Sequence, residues 1–276
     1  MLTQDQFSAL STLLKSETAV VLENGKEYLV ESRLTSLAHD EGFGSLGEMI
    51  DLVLRRSNPS LNQKVLLALT TNETSFFRDL SAYEFLKSTA LPEIIKSRAA
   101  TKSLTIWSAA CSTGQEPYSI ALSMAENFPE NSQWNVRVLA SDLNPKIVKK
   151  AVQGMYTSLE VNRGLPIQLL VKYFTQDGDT YHLRPEIKDK VSFFEQNLIG
   201  TWPTTPVDIL FMRNVLIYFD TETKRQIFEK VKSVLAPDGY LFLGVAETPY
   251  RITEGFTKVT PTTNVYKKEA LPEIKT

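Results

Sequence analysis

The chain is poor in the residues that build disulfides, metal sites and strong electrostatic surfaces. Its single cysteine, Cys111, excludes a disulfide framework and any thiolate cluster, and fits a reducing compartment. The 2 histidines, His39 and His182, are far apart, so no metal site is expected. Acidic residues (32) and basic residues (30) nearly cancel, leaving a formal net charge of −2. That balance lacks the basic excess with which proteins neutralise phosphates, so nucleic acid is excluded as a partner. No apolar run approaches the length needed to cross a bilayer, and the start MLTQDQFSALSTLL has no basic n-region. Neither secretion nor membrane insertion is expected, and the location implied is cytoplasmic. What is present suffices for a real core: 42% hydrophobic and 10% aromatic residues. The 276 residues suggest two domains, at about 150 residues per domain.

Residues 1–70 read as helix alone. Val30, Leu34 and Leu37 recur at helical spacing, as do Leu46, Met49, Ile50 and Val53, then Leu61, Val65, Leu66 and Leu69. Gly42 and Gly44 mark one join and Ser57-Asn58-Pro59-Ser60 the next, so four short helices are expected, counting Gln4–Lys15. This first domain, 1–70, holds 6 basic and 9 acidic residues and is net −3; the remainder is +1.

From about residue 100 the pattern alternates. Apolar runs at Leu104–Cys111, Val136–Leu143, Val207–Arg213 and Tyr240–Val245 are interleaved with amphipathic stretches at Glu116–Phe128, Pro145–Met155 and Glu222–Leu235. Such alternation means a mostly parallel sheet covered on both faces, a doubly wound α/β domain over 71–276. Phe256–Thr260 and Asn264–Lys268 suit an antiparallel hairpin at the sheet's edge, with Lys267–Thr276 as a loose tail. Residues 157–190 break the alternation. They offer a helix at Pro166–Phe174 and a hairpin turning at Asp177-Gly178-Asp179, its strands near Tyr181–Arg184 and Ile187–Phe194. A small inserted α+β subdomain is expected there.

In doubly wound sheets ligands bind beyond the C-terminal ends of the strands. After the first strand, Ala109-Ala110-Cys111-Ser112-Thr113-Gly114 lets backbone approach a ligand closely. Gln115 and Glu116 then put an acid where a phosphate wants positive potential, so a cationic, phosphate-free ligand fits better; a plain turn is the alternative. Asp142 ends the second strand, where a carboxylate can accept both hydroxyls of a ribose or simply cap the next helix. Asn197 and Leu198 offer an amide and an apolar side chain that suit an adenine, or the asparagine simply ends a strand. Arg213 and Asn214 follow a buried strand, and an arginine there is costly unless paired. Tyr218 can serve the same site or merely pack. Thr70 to Asp79 is either a capped helix start with two core phenylalanines or a loop folded over the ligand.

Four motifs in one order, TTNETSFFRD, IWSAACSTGQEPYSIA, ASDLNPKIVKKAVQGMY and FMRNVLIYFD, resemble the CheR family over essentially the whole chain. Those enzymes use S-adenosylmethionine to esterify glutamate side chains of bacterial chemoreceptors, releasing S-adenosylhomocysteine. The resemblance implies a class I, Rossmann-like methyltransferase sheet with an N-terminal all-α domain and a small inserted β-subdomain. It implies that Asn72, Thr74 and Arg78 lie in a cofactor-closing segment. Glu116 would then meet the ammonium of the methionine portion, Asp142 the ribose, and Asn197 with Leu198 the adenosine. Arg213 and Asn214 would complete the pocket, and Arg78 and Tyr218 would lie near the transferable methyl as catalytic residues. The implied partner is the cytoplasmic helical domain of methyl-accepting chemoreceptors.

Two departures bear on that partner. Relatives often carry a basic face on the helical domain, whereas here Lys26, Arg33, Arg55, Arg56 and Lys64 are diluted by acids. The hairpin at Asp177–Asp179 is short, which argues against gripping a receptor's C-terminal pentapeptide by strand addition. A regulator that binds the cofactor without transferring methyl, or a methyltransferase for another carboxylate, are the competing functions.

Overall fold

Four helices follow the four apolar stripes of the N-terminal region: α1 (Gln4–Thr18), α2 (Glu27–Asp40), α3 (Leu46–Leu54) and α4 (Pro59–Ala68). Their starts are written in the sequence. Thr3 and Gln6 form a capping box on α1, Ser45 caps α3, and Asn58 caps α4 with Pro59 at its first turn. The stripes meet in a core of Phe7, Leu10, Leu14, Leu34, Ile50, Val53 and Val65. Each such side chain contributes about 2 kcal/mol by leaving water.

The structure is a computed structural model that describes residues 2–131 and 133–269. The chain divides into two units, Met1–Asn72 with Tyr218–Thr223, and Glu73–Ile217 with Lys224–Thr276. In the first, the Val21 N–H donates to the Tyr218 carbonyl (2.8 Å) and Lys15 pairs with Asp220 (2.7 Å). The Lys15 hydrogen bond holds the Asp220 carboxyl down to about 2.

The second unit opens with α5 (Leu80–Phe85), a π-turn and α6 (Leu91–Ser97). Then come β1 (Ser103–Ala109), α7 (Gln115–Asn127), β2 (Asn135–Asp142) and α8 (Pro145–Gln153). A small three-stranded sheet follows: β3 (Met155–Thr157), the short helices α9 (Ser158–Asn162) and α10 (Ile167–Tyr173), β4 (Phe174–Asp177) and β5 (Thr180–Leu183). Its strand order is β3-β5-β4, all antiparallel. After α11 (Pro185–Lys188) the chain returns to the main sheet with β6 (Val191–Glu195) and β7 (Val207–Met212). Helix α12 (Thr221–Val234), β8 (Leu235–Leu243), β9 (Phe256–Lys258) and β10 (Val265–Lys268) complete the fold.

The main sheet has the order β6-β2-β1-β7-β8-β10-β9, parallel through β8 and antiparallel at β10 and β9. It is therefore the α/β class I methyltransferase arrangement that the alternating pattern and the motifs imply. Strand β7 is buried along its whole length, as a central parallel strand must be. Phe211 and Phe242 stack across β7 and β8 with centroids 4.3 Å apart. Because β2 lies on one side of β1 and β7 on the other, the topology switches at β1, and the strand ends there form the ligand crevice.

Several expectations are corrected. Helix α8 stops at Gln153, capped by left-handed Gly154, and Met155 starts a strand instead of ending the helix. The hairpin pairs β4 with β5, so its first strand is Phe174–Asp177; Ile187 lies in α11, nucleated by Pro185, and not in a long strand to Phe194. Strand β8 begins at Leu235, five residues before the expected Tyr240. The Pro237-Asp238-Gly239 turn is a bulge, where the register jumps from Val207↔Leu235 to Ile209↔Tyr240. Lys267 and Lys268 are paired in β10 rather than loose, and 270–276 of the expected tail lie outside the described residues. No helix among the described residues is long and apolar enough to cross a membrane.

Candidate functional site

The loop leaving β1 has an unusual backbone. Ala110 (φ 60°), Ser112 (φ 50°) and Gly114 (φ 94°) all adopt the left-handed region within five residues. Such a run costs energy and persists only where surrounding contacts hold it. Those contacts are explicit. The Cys111 N–H donates to the Ser141 carbonyl (2.8 Å), the Ser112 N–H to Asp142 Oδ2 (2.9 Å), and the Tyr156 hydroxyl to the Thr113 carbonyl (2.9 Å). A Cβ on Gly114 would stand 3.0 Å from the Tyr156 hydroxyl and 3.1 Å from the Ala151 Cβ, so only glycine fits both the space and the dihedral. Cys111 is buried, and burial pushes its thiol well up, which makes it a packing residue and a poor nucleophile.

Asp142 closes β2 with its carboxylate already half used. Oδ2 accepts from Ser112 N–H and Oδ1 from Asn144 N–H (3.0 Å), leaving each oxygen a further lone pair. Burial pushes this carboxyl up, and the backbone N–H groups of Asn144, Ser112 and Leu143 pull it back. The Gln196 N–H donates to the Asp142 carbonyl (2.9 Å), so the end of β6, with Asn197 and Leu198, lies beside it. The turn after β6 is itself fixed. Asn197 Oδ1 accepts from Ile199 N–H, while the Leu198 carbonyl accepts from the Trp202 indole (2.9 Å) and from Lys230 Nζ (3.1 Å). Lys230 also donates to the carbonyls of Ile199 and Gly200, both at 2.7 Å.

At the mouth of β7 the buried arginine is paired through both terminal nitrogens, while its Nε has no partner among the described residues. Arg213, with its side chain 1% exposed, donates to Glu116 Oε2 (3.1 Å), to Asp79 Oδ2 (2.5 Å) and to the Arg78 carbonyl (2.8 Å). Glu116 also accepts from the Ser108 hydroxyl (2.8 Å). Burial pushes the Glu116 carboxyl up, against the pull of the Arg213 guanidinium and the Ser108 bond. Two carboxylates thus surround one guanidinium, and Asp142 adds a third acid nearby in the topology. The surplus is anionic, which suits a cation and repels a phosphate.

The segment Glu73–Asp79 leads into α5 without a side-chain cap from Asp79, and of the helix-start reading it is the two core phenylalanines that the structure bears out. Phe76 and Phe77 are core residues, Phe76 packing edge-on against Tyr156 (5.0 Å) and Phe174 (6.0 Å). Arg78 is partly exposed, and its Nη1 donates to the Glu73 carbonyl (3.2 Å). Thr74 is half-buried on the same segment.

The structure therefore brings Arg78, Glu116, Asp142, Asn197, Leu198, Arg213 and Asn214 onto the strand-end edge of the second unit, with Thr74 on the adjoining segment. Asn72 and Tyr218 belong to the first unit. Among the described residues no three His, Cys, Asp or Glu side chains gather as metal ligands. Sequence reasoning missed Asp79, Ser108, Lys230 and Glu247. Asp79 lies within the TTNETSFFRD motif and Glu247 four residues beyond β8, a strand end that went uninspected. Ser108 lies within the IWSAACSTGQEPYSIA motif, and Lys230 carries no local signal, since its partners lie outside its own helix.

Comparison with known proteins adds two family models. One, described as CheR methyltransferase, all-alpha domain, matches residues 5–70; the other, CheR methyltransferase, SAM binding domain, matches residues 72–265. Chemotaxis protein methyltransferase 1 of Pseudomonas aeruginosa is 37% identical over 258 residues, covering 92% of this chain and 93% of the relative. Chemotaxis protein methyltransferase Cher2 of Pseudomonas putida is 37% identical over 246 residues, 87% and 89% of the two chains. Among solved structures, a TehB-like SAM-dependent methyltransferase from Corynebacterium glutamicum superposes with a TM-score of 0.37 at 11% identity, over 69% of this chain and 95% of that one.

Proposed function

The chain belongs to the CheR methyltransferase family, and is thus an S-adenosylmethionine-dependent methyltransferase of chemotaxis; from that premise we propose which residues do the work and on what. The substrate is a glutamate side chain on the cytoplasmic helical domain of a chemoreceptor, and the product is its methyl ester.

The observation that carries the residue assignment is the anionic surplus around Arg213. The donor set fits the cofactor: acids for a cationic ligand, a glycine-dependent loop for close backbone approach, and Asp142 with spare lone pairs for two hydroxyls. Asp142 would hold the ribose, Asn197 and Leu198 the adenine, and Glu116 the ammonium. Asn72, Thr74, Arg213 and Asn214 would close the pocket. When bound, S-adenosylmethionine supplies an electrophilic methyl on a sulfonium.

The protein then has little bond chemistry of its own to perform. A glutamate with a reference pKa of about 4.3 is ionised near neutrality, so no general base is required. Arg78 orients the incoming carboxylate, and Tyr218 gives it a positioning hydrogen bond. These groups must not grip the carboxylate too tightly, because its negative charge disappears as the ester forms. Holding the reactants in attack geometry and excluding water supply most of the acceleration.

A C-terminal pentapeptide tether is not part of this reading. The candidate edge strand, β4, has 4 residues and is joined to β5 by a two-residue turn, which leaves few backbone groups for strand addition.

The test is methyl transfer from tritiated S-adenosylmethionine to purified receptor signalling domains. Counts released as methanol by mild base support a carboxyl ester. Counts that survive base, or binding of the cofactor with no transfer, overturn it.

A further inference from the structure

The loop at the exit of β7 is held by one residue, Glu247. Asn214 is left-handed (φ 61°), and the next three residues turn sharply through Val215, Leu216 and Ile217. Their N–H groups point inward and need acceptors. One carboxylate satisfies them all. Glu247 Oε2 accepts from the N–H of Asn214 (2.8 Å) and Gly244 (2.7 Å); Oε1 accepts from Val215 (2.8 Å), Leu216 (2.7 Å) and, at longer range, Ile217 (3.4 Å). The residue is 4% exposed, and its charge is met by converging peptide dipoles, in the manner of a backbone anion nest.

The surroundings are fitted to this contact. Gly244 has no Cβ, and one placed there would stand 2.7 Å from Glu247 Oε2 and 2.8 Å from Asn214 Nδ2. Asn264 fastens the same turn, its Nδ2 donating to the carbonyls of Gly244 (2.8 Å), Val245 (2.8 Å) and Glu247 (3.1 Å). The Arg213–Asn214 pair thus has separate supports: Arg213 is set by Glu116 and Asp79, Asn214 by Glu247.

We propose that Glu247 is a positioning residue for methyl transfer, setting the Asn214–Ile217 backbone in the conformation that the acceptor carboxylate requires. This rests on the methyltransferase reading above. Of the residues assigned to the cofactor pocket only Asn214 leans on Glu247, since Glu116 bonds Ser108 and Arg213 while Asp142 bonds Ser112 and Asn144. Loss of Glu247 therefore acts on turnover more than on cofactor affinity. A glutamine cannot replace it, because an amide offers one acceptor oxygen and its NH2 would face N–H donors.

The experiment compares wild type with Glu247→Gln, Glu247→Ala and Gly244→Ala. It measures kcat for receptor methylation, the S-adenosylmethionine dissociation constant by calorimetry, and the effect of added sodium formate. We expect kcat to fall about 10- to 100-fold in all three, with the dissociation constant changed by less than about threefold. Formate, a small carboxylate fitting the vacated N–H groups, should restore part of the kcat of Glu247→Ala but not of Gly244→Ala. Unchanged kcat in the variants overturns the proposal, as does a loss of affinity equal to the loss of kcat with no response to formate. Wild type that transfers no methyl overturns the methyltransferase reading, and this inference with it; active wild type with indifferent variants overturns the inference alone.

Discussion

A guanidinium buried at the end of β7 would be costly alone, and Arg213 is stable there because Glu116, Asp79 and the Arg78 carbonyl share its donors. Removing it leaves the buried Glu116 and the partly exposed Asp79 without their shared cation. Arg213→Met should therefore destabilise the fold by about 3–5 kcal/mol, read as a lowered midpoint in urea unfolding. An unchanged midpoint would mean that the charges rearrange freely. Asp142 has a different duty, with lone pairs left over after bonding the loop of β1. Asp142→Asn keeps its shape but loses an acceptor, and should weaken S-adenosylmethionine binding about tenfold in calorimetry. Arg78 is partly exposed and bonds one backbone carbonyl, so the fold does not depend on its side chain. Arg78→Ala should lower turnover about 100-fold or more with an unaltered melting temperature. Near-normal transfer by that variant would remove Arg78 from the mechanism.

At the scale of elements, the loop after β6 is held by a helix. Lys230 on α12 donates to three successive carbonyls, Leu198, Ile199 and Gly200. Lys230→Met should raise the cofactor dissociation constant about tenfold while leaving kcat at saturation within about twofold; the reverse split would contradict the assignment of this loop to adenosine. The bulge in β8 is pinned at Asp238, whose carboxylate receives a forked pair of bonds from Arg98 (2.9 and 2.6 Å). Arg98 holds that carboxyl down to about 2 from 3.8. A depressed carboxyl contributes stability above its unfolded value and loses it as pH falls through the folded one. With the side chain 41% exposed, the contribution at neutral pH is about 1 kcal/mol after screening. Asp238→Asn should be less stable than wild type at pH 7, the gap narrowing between pH 4 and 2 and closing below, as followed by denaturant titration. These same elements show what the sequence could and could not reveal. Strands β1 and β7 were legible because each is an apolar run buried on both faces, and β2 because its second half is largely so. The start of β8 was not, because Pro237-Asp238-Gly239 reads as a turn when the neighbouring strand is unknown. Strand β4 (FTQD) is mostly polar, exists by pairing with β5, and so left no pattern. The candidate site divides likewise: Asp142, Asn197 and Arg213 were picked out from strand-end topology, whereas Lys230 and Glu247 act through partners distant in sequence.

For the molecule as a whole, the near-cancelling charge seen at the outset bears on how a receptor is met. Residues 1–70 are net −3, and four of their cations are already engaged: Lys15 with Asp220, Lys64 with Glu41, Arg56 with Glu17, and Arg33 with the Leu69 carbonyl and Thr71. Little positive field remains to steer an acidic partner, so shape and a few placed cations must do most of the recognition. Raising salt from about 50 to 300 mM should change kcat/KM for receptor methylation by less than about threefold; a steep decline would reveal a basic docking strip. The central claim is that this chain converts receptor glutamates to methyl esters. The most direct measurement is peptide mass spectrometry of a receptor signalling domain after incubation with the protein and S-adenosylmethionine. The account predicts a one-methyl mass increment on defined glutamates, erased by mild base and absent with Arg78→Ala. A base-stable increment on another residue type, or no increment while the cofactor binds, would contradict it.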